Sequence, residues 1–119
     1  MGPTLSQFLD DDHWLSARNA YVRARGFRHL YVRKGERYVE GKWYAKVIGL
    51  ANFEVNHPGK GLFGRFIARL RNSRPDWGLY VESVLNPRFP RRLLELGFVP
   101  VEGTTPPCFW MPPRKKRAR

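Results

Sequence analysis

The chain has 119 residues, of which 42% are hydrophobic, and a formal net charge of +12. The length and the hydrophobic content fit one globular domain with its own core and argue against disorder over the whole length. A single cysteine, Cys108, excludes an internal disulfide and a cysteine-based zinc site, and the lack of a run of about 18 apolar residues excludes a transmembrane helix. The charge favours polyanions: nucleic acid, a phosphate-bearing cofactor or an acidic protein surface.

The first residues carry no targeting signal. No basic and then apolar segment is present, and residues 10–12 are three aspartates. We therefore expect an intracellular, cytoplasmic protein, or a nuclear one if the source is eukaryotic. We expect a monomer or dimer that needs no membrane. We also expect no metal, because His13 and His29 lack partners at metal-ligand spacing, while His57 beside the glycine-rich turn is read as an exposed loop residue or a phosphate contact.

The first half of the chain predicts a helix and then strands. The aspartates are good N-cap and first-turn residues for a helix from about residue 13 to residue 25, which makes residues 1–26 an N-terminal helix region. The β-formers of residues 27–55 predict strands with a hairpin turn at 40–42 and a bulge or splay near Gly49.

The second half alternates helices and strands. A glycine-rich turn at 56–61 leads into an amphipathic helix at 62–72, and a strand follows at 78–85. Asn86 is then expected to cap a helix that ends at Gly97, before two short strands at 99–101 and 108–111. The order predicts one mixed α/β domain over residues 1–113, followed by a basic tail, 114–119, which we expect to be disordered.

The glycine-rich turn is the strongest functional signal. A turn between a strand and a helix N-terminus presents free backbone N–H groups and a positive dipole, which suits phosphate, although an ordinary connection has the same spacing. A Walker A loop is excluded because Arg65 and Phe66 follow where Lys and Ser/Thr are required. The spacing of Gly59, Gly61 and Gly64 matches a dinucleotide fingerprint, but the expected acidic residue about 20 positions later is missing.

Two sequence blocks carry a family resemblance. NFEVNHPGKGLFGRFIARL (52–70) is followed by GLYVESVLNPRFPRRLLELGF (78–98). Together they resemble the GNAT family of N-acetyltransferases, in which a strand, an Arg/Gln-x-x-Gly-x-Gly/Ala turn and a helix precede a second strand and a helix ending in Gly-Phe. The turn aligns with Pro58 to Phe63, and the resemblance covers roughly residues 27–111. It implies an α/β (α+β) domain whose mixed central sheet contains a splayed pair of parallel strands flanked by helices.

The resemblance also implies a function, which is transfer of an acetyl group from acetyl-CoA to an amine, for example of a protein, by direct attack. The implied cofactor-binding residues lie on the strand, the turn and the two helix starts: Phe53, Val55, Pro58, Gly59, Lys60, Gly61, Leu62, Phe63, Gly64, Arg65, Asn86 and Phe89. The implied general base is Glu54, acting through water, with Glu82 on the neighbouring strand as the second catalytic candidate.

Three positions depart from the family pattern. Pro58 and Phe63 replace the Arg/Gln and the small residue of the turn. Leu93 stands where many members carry the Tyr that protonates the departing thiolate, which leaves water or Tyr80 for that role.

Because of these departures, the sequence also fits a binding function without catalysis. Aromatic and cationic residues are interleaved between Tyr21 and Tyr44, and the tail PRKKRAR is strongly basic, as in surfaces that bind single-stranded nucleic acid. The alternative is a catalytically inactive GNAT-like basic protein that binds nucleic acid or a protein partner.

Overall fold

The computed structural model describes residues 2–10, 18–82, 84 and 88–114. Within these residues, three helices and six strands follow one another: α1 (Leu5–Asp10), β1 (Asn19–Tyr21), β2 (Phe27–Val39), β3 (Lys42–Val55), α2 (Leu62–Ser73), β4 (Gly78–Val81), α3 (Phe89–Leu96), β5 (Val99–Val101) and β6 (Cys108–Met111). None of the described helices is long and apolar enough to cross a membrane.

The strands form one mixed sheet in the order β1-β2-β3-β4-β6-β5. Only β3 and β4 run parallel, and every other neighbouring pair is antiparallel. The sheet and its helices confirm the predicted α+β class, and both β5 and β6 lie at their predicted positions.

The core lies mainly on the helical face of the sheet. β4 is buried on both faces, as expected for a central strand with a continuous apolar sequence. Leu79 and Val81 point into the larger core, with residues of all three helices, whereas Tyr80 points to the other face. The second cluster consists of strand residues: Val39, Val47, Tyr80, Cys108 and Trp110.

The N-terminal region differs from the prediction of a helix over residues 13–25. Residues 19–21 form β1, paired with β2, and the helix lies earlier, at α1. A reciprocal cap explains this start: the Gln7 N–H donates to the Thr4 hydroxyl at 3.1 Å, and the Thr4 N–H donates to Gln7 Oε1 at 2.9 Å. The prediction for residues 11–17 lies outside the described residues.

Two other boundaries were predicted incorrectly. β4 ends at Val81 instead of residue 85, because it leaves its parallel partner there. α3 begins at Phe89 with Arg88 as its N-cap, so the predicted cap at Asn86 is two residues too early. Asn86 itself lies outside the described residues. Pro90 occupies the second helical position, where its missing N–H costs no internal hydrogen bond.

Candidate functional site

The parallel strands β3 and β4 separate halfway along the sheet. Their pairing runs from Val47 opposite Gly78 to Leu50 opposite Val81, and the last bond joins the Glu82 N–H to the Leu50 carbonyl at 3.0 Å. Beyond it the Val84 N–H donates to Pro107 O at 2.8 Å, so the chain after β4 turns away from β3. β3 continues to Val55 beside the resulting gap. This separation is the splayed strand pair that the family resemblance implied.

A bulge in β3 accompanies the separation. Tyr31 of β2 lies opposite Asn52 and Val32 lies opposite Leu50, so Ala51 is the extra residue. The bulge lies two residues beyond Gly49, where the sequence predicted a bulge or splay. A bulge increases local twist, which helps β3 to diverge from β4.

The backbone of β3 can pair with a ligand in the gap. The Asn56 N–H donates to Gly26 O at 2.8 Å, on the side of β2. Because amides alternate along a strand, the N–H groups of Val55 and Phe53 face the opposite edge, towards the gap. An extended ligand lying there can add to the sheet as a strand would.

The glycine-rich turn ends beside this gap, at the N-terminus of α2. Gly59 and Gly61 have φ values of +85° and +73°, in the left-handed region that favours glycine. Gly61 is the N-cap of α2, and no side chain caps this helix within the described residues. The first-turn N–H groups therefore stay available for an anion, where the positive end of the helix dipole adds to the attraction.

Two arginines flank the N-terminus of α2. A Cβ added at Gly61 would lie 3.2 Å from Arg65 Nη1, so the Arg65 guanidinium covers the turn. A Cβ added at Gly64 would lie 2.7 Å from Arg92 Nη2, which places the Arg92 guanidinium of α3 against the first turn of α2. The sequence analysis missed Arg92. Its position three residues after Phe89, on the helical stripe that faces α2, was the available signal.

Three of the predicted cofactor-binding side chains form one aromatic cluster. The rings of Phe53 and Phe63 stack at 5.3 Å between centroids, and the Phe89 ring lies 5.0 Å from Phe63 and 5.6 Å from Phe53. Phe63 is buried, so its side chain packs between β3, α2 and α3. What it can offer a ligand is its backbone N–H. Pro58 and Lys60 are exposed on the turn.

Glu82 lies at the point of strand separation, on the face opposite the helices. Its side chain is 15% exposed, and its Oε2 lies 3.6 Å from Arg33 Nε and 3.4 Å from Arg37 Nη1. The carboxylate crosses β3 above Gly49, where an added Cβ would lie 3.1 Å from Oε2. Gly49 thus leaves the space through which Glu82 reaches the arginines of β2.

Glu54 occupies the same face near the end of β3, since Phe53 and Val55 point to the helical side. Its side chain is 55% exposed, with Oε2 3.7 Å from Arg28 Nε and Oε1 3.9 Å from His29 Nδ1. These distances are longer than those of a tight ion pair, so water reaches the Glu54 carboxylate.

Leu93, at the position of the family's general acid, and Tyr80, which with water was left for that role, are both buried. Leu93 is fully buried in the core and has no proton to give. Burial raises the pKa of Tyr80, and its hydrogen bond with the Cys108 thiol raises it further. The Tyr80 hydroxyl therefore stays protonated at neutral pH, with the Arg37 guanidinium 3.8 Å from its ring centroid.

Comparison with known proteins supports the fold. No protein-family model and no curated protein matches this chain. Two solved structures of a mutant of the toxin AtaT do match, one bound to the C-terminus of the antitoxin AtaR and acetyl-CoA, and one bound to the C-terminus of AtaR. Each has a TM-score of 0.55 and 19% sequence identity, over 71% of this chain and 57% of the AtaT chain. This chain thus spans less than two thirds of AtaT. At this identity the likeness concerns the fold, and the chain has a GNAT-like fold.

Proposed function

We propose that this protein binds acetyl-CoA and transfers its acetyl group to an amine. One observation carries the proposal: β3 separates from β4 directly beside the uncapped, glycine-rich N-terminus of α2. A solved neighbour of the same fold, AtaT, is bound to acetyl-CoA, which supports this choice of ligand.

The turn and its cations suit the phosphates of the cofactor. The N–H groups of residues 59–64 would take the pyrophosphate, whereas Pro58, the residue before them, has no N–H to offer. Lys60, Arg65 and Arg92 would add charge-assisted hydrogen bonds to phosphate oxygens. The gap-facing amides of Phe53 and Val55 would pair with the pantetheine chain.

The transfer itself needs few protein groups. The acceptor nitrogen attacks the thioester carbonyl carbon, the C–N bond forms, the C–S bond breaks, and the thiolate takes up a proton. A backbone N–H near Val55 would stabilise the developing oxyanion. We place Glu54 first as general base, acting through water, because its carboxylate is solvated while Glu82 is held between Arg33 and Arg37. Since Leu93 cannot act as an acid, solvent would protonate the thiolate.

We propose a protein amine as the acceptor and a protein as partner. The face of the sheet opposite the helices carries Glu54, whose side chain is 55% exposed, and this favours an acceptor that approaches the gap from that side. The neighbour AtaT is bound to a segment of another protein, the C-terminus of AtaR, which is consistent with a protein partner.

A second candidate function follows from the same geometry. Both candidate bases lie beside arginines, and Leu93 replaces the expected acid. These contacts favour a protein that keeps the fold and has lost catalysis, binding nucleic acid or a protein through its basic surface. The two functions differ in whether acetyl-CoA is consumed.

The test is acetyl transfer in cells that produce the protein, followed by mass spectrometry of acetylated amines. We expect new acetylated sites with the wild-type chain and none with Gly61→Val, because the valine side chain strains the left-handed turn and covers the amides. Gly103→Val is the matched control: Gly103 has φ +80° and open space around an added Cβ, so it carries the same strain away from the site. Equal acetylation by wild type and Gly61→Val would refute this placement of the cofactor.

A further inference from the structure

A histidine, an asparagine and a glutamate lie next to one another on the sheet face opposite the helices. His29 of β2 is paired directly with Glu54 of β3. Because side chains alternate along a strand, Asn52 and Glu54 project from the same face, whereas Phe53 between them packs against the core on the other face. All three side chains therefore lie beside the part of β3 that borders the gap.

The asparagine fixes which nitrogen of the imidazole ring carries the proton. Asn52 Oδ1 lies 3.3 Å from His29 Nε2. An amide oxygen can only accept a hydrogen bond, so Nε2 carries a proton and donates it in this contact. In the neutral ring the other nitrogen, Nδ1, then presents a lone pair. His29 thus turns a hydrogen-bond acceptor towards Glu54.

Glu54 presents a second acceptor beside the first. Its Oε1 lies 3.9 Å from His29 Nδ1, which is too long for a direct hydrogen bond. Arg28 contacts the other oxygen, with its Nε 3.7 Å from Glu54 Oε2. A single donor nitrogen can contact both Nδ1 and Oε1 at about 2.9 Å. This arrangement suits an ammonium group, which has several N–H donors and no acceptor.

The pair is accessible and adjoins two aromatic rings. The side chain of His29 is 36% exposed and that of Glu54 is 55% exposed. The exposed Tyr21 ring meets the His29 ring edge-on at 6.3 Å between centroids, and the Tyr31 ring lies 4.8 Å from that of Tyr21. Aromatic rings attract ammonium groups and pack against methylene chains. These contacts favour a primary amine at the end of an aliphatic chain, as in a lysine side chain.

We infer that His29 and Glu54 together receive the acceptor amine as an ammonium ion, and that His29 removes its first proton. Asn52 is the positioning residue that keeps the His29 Nδ1 lone pair available. The inference rests on the proposed function. It adds a catalytic residue to that function, and it names the class of acceptor as a lysine-type amine.

The nitrogen must lose two protons in the complete transfer. His29 Nδ1 takes the first, which leaves a neutral amine with a lone pair and an imidazolium whose charge the Glu54 carboxylate offsets. The amine then moves across β3 to the gap, about one strand spacing of 4.8 Å. Its nitrogen forms the C–N bond as the C–S bond breaks, and solvent protonates the thiolate. Glu54 takes the second proton through water, and both residues return their protons to solvent.

NMR of the chain with isotope-labelled histidine tests the pair without acetyl-CoA, so its failure is distinguishable from failure of the proposed function. The His29 signals, assigned by their loss in His29→Gln, should show the tautomer with the proton on Nε2. Addition of n-butylammonium chloride, which has the end group of lysine, should shift the Nδ1 signal saturably. Tetramethylammonium, with the same charge and no N–H, should not. Methylammonium, which lacks the chain that packs on the tyrosines, should bind about threefold more weakly.

Kinetics with n-butylamine as the acceptor test the role of His29 in transfer. His29→Ala should lower kcat about 100-fold, because a positioned base is lost. Millimolar imidazole should restore part of the activity, which would also show that this variant is folded, and it should not restore Glu54→Gln. Asn52→Leu should cause a smaller loss, with both tautomers of His29 in its spectrum. Lys42→Ala, an exposed residue at the hairpin end of β3, is the control and should keep the wild-type kcat.

Three results would each overturn the inference. They are a wild-type His29 tautomer with the proton on Nδ1, an equal shift with tetramethylammonium, and a kcat of His29→Ala within about threefold of wild type. If no transfer to n-butylamine is detected, the NMR comparison of the ammonium ions decides whether His29 and Glu54 receive an amine.

Discussion

The two sides of the gap between β3 and β4 are built differently. On the side of α2, backbone amides at a glycine turn are uncapped and two arginines lie next to them. On the opposite face, both carboxylates lie beside cations: Glu82 between two arginines, and Glu54 beside Arg28 and His29. The first side suits a phosphate-bearing ligand, whereas on the second side both carboxylates contact cations, and Glu82 is more closely held than the solvated Glu54. The proposed binding of the cofactor therefore has more support from the described contacts than the proposed catalysis has.

The largest expected effect is on the affinity for acetyl-CoA, and it concerns the side of the gap next to α2. Arg65→Glu combined with Arg92→Glu should weaken acetyl-CoA binding about 100-fold, since two charge-assisted hydrogen bonds are replaced by repulsion. Isothermal calorimetry checks this, with Lys42→Glu and Arg69→Glu, two exposed cations away from the turn and the gap, as a control of equal charge change. Equal weakening in both double variants would mean that net charge alone attracts the ligand.

The face of the sheet opposite the helices, where we propose that the acceptor amine binds, is tested first at Glu54. Glu54→Gln should lower kcat about 100-fold, because a positioned general base contributes about 10²–10⁴. The affinity for acetyl-CoA should stay within about twofold. Glu102→Gln, an exposed acid in the loop between β5 and β6, is the control and should change neither quantity. An unchanged kcat for Glu54→Gln would remove Glu54 from the mechanism.

A change at Glu82 should affect stability more than the rate of acetyl transfer. Glu82→Gln leaves Arg33 and Arg37 without their anion, so we expect a loss of about 1 kcal/mol in the free energy of unfolding, measured in urea. The rate of acetyl transfer should stay within about threefold. A large fall in rate at unchanged stability would make Glu82 the base and reverse the order of the two candidates.

The smallest expected effect is the pH dependence at Tyr80. Because the folded chain raises the pKa of this hydroxyl, its contribution to stability is fully present below the unfolded value of about 10 and is lost as pH rises through the folded value. Tyr80→Phe removes this dependence. Above about pH 10 the wild type should therefore lose stability relative to Tyr80→Phe in urea unfolding. A constant difference between the two up to pH 11 would show that Tyr80 keeps an ordinary pKa.

A contrast between local and long-range contacts explains which parts of the structure could be predicted from the sequence. The hairpin, α2, β5 and β6 follow local periodicity and turn residues, and they were predicted within about one residue. The N-terminus was not, because the pairing of β1 with β2 is a long-range contact that the helical spacing of residues 13–25 does not reveal. The glycine-rich turn could be predicted because its glycines lie within a few residues of one another in the sequence. The arginine partners of Glu82 depend on packing between distant segments, which the spacing of residues does not reveal. For Arg92, the spacing from Phe89 indicated the face of α3 on which it lies, but not that this face packs against the first turn of α2.

The central claim is that the turn at residues 58–64 and the adjacent gap bind acetyl-CoA, and thermal unfolding of the wild-type chain with and without this ligand tests it most directly. At 100 times its dissociation constant, acetyl-CoA should stabilise the fold by about 2.7 kcal/mol and raise the Tm by about 10 °C. Gly103→Val should keep the shift and Gly61→Val should lose it. No shift of the wild type at millimolar acetyl-CoA would contradict the account.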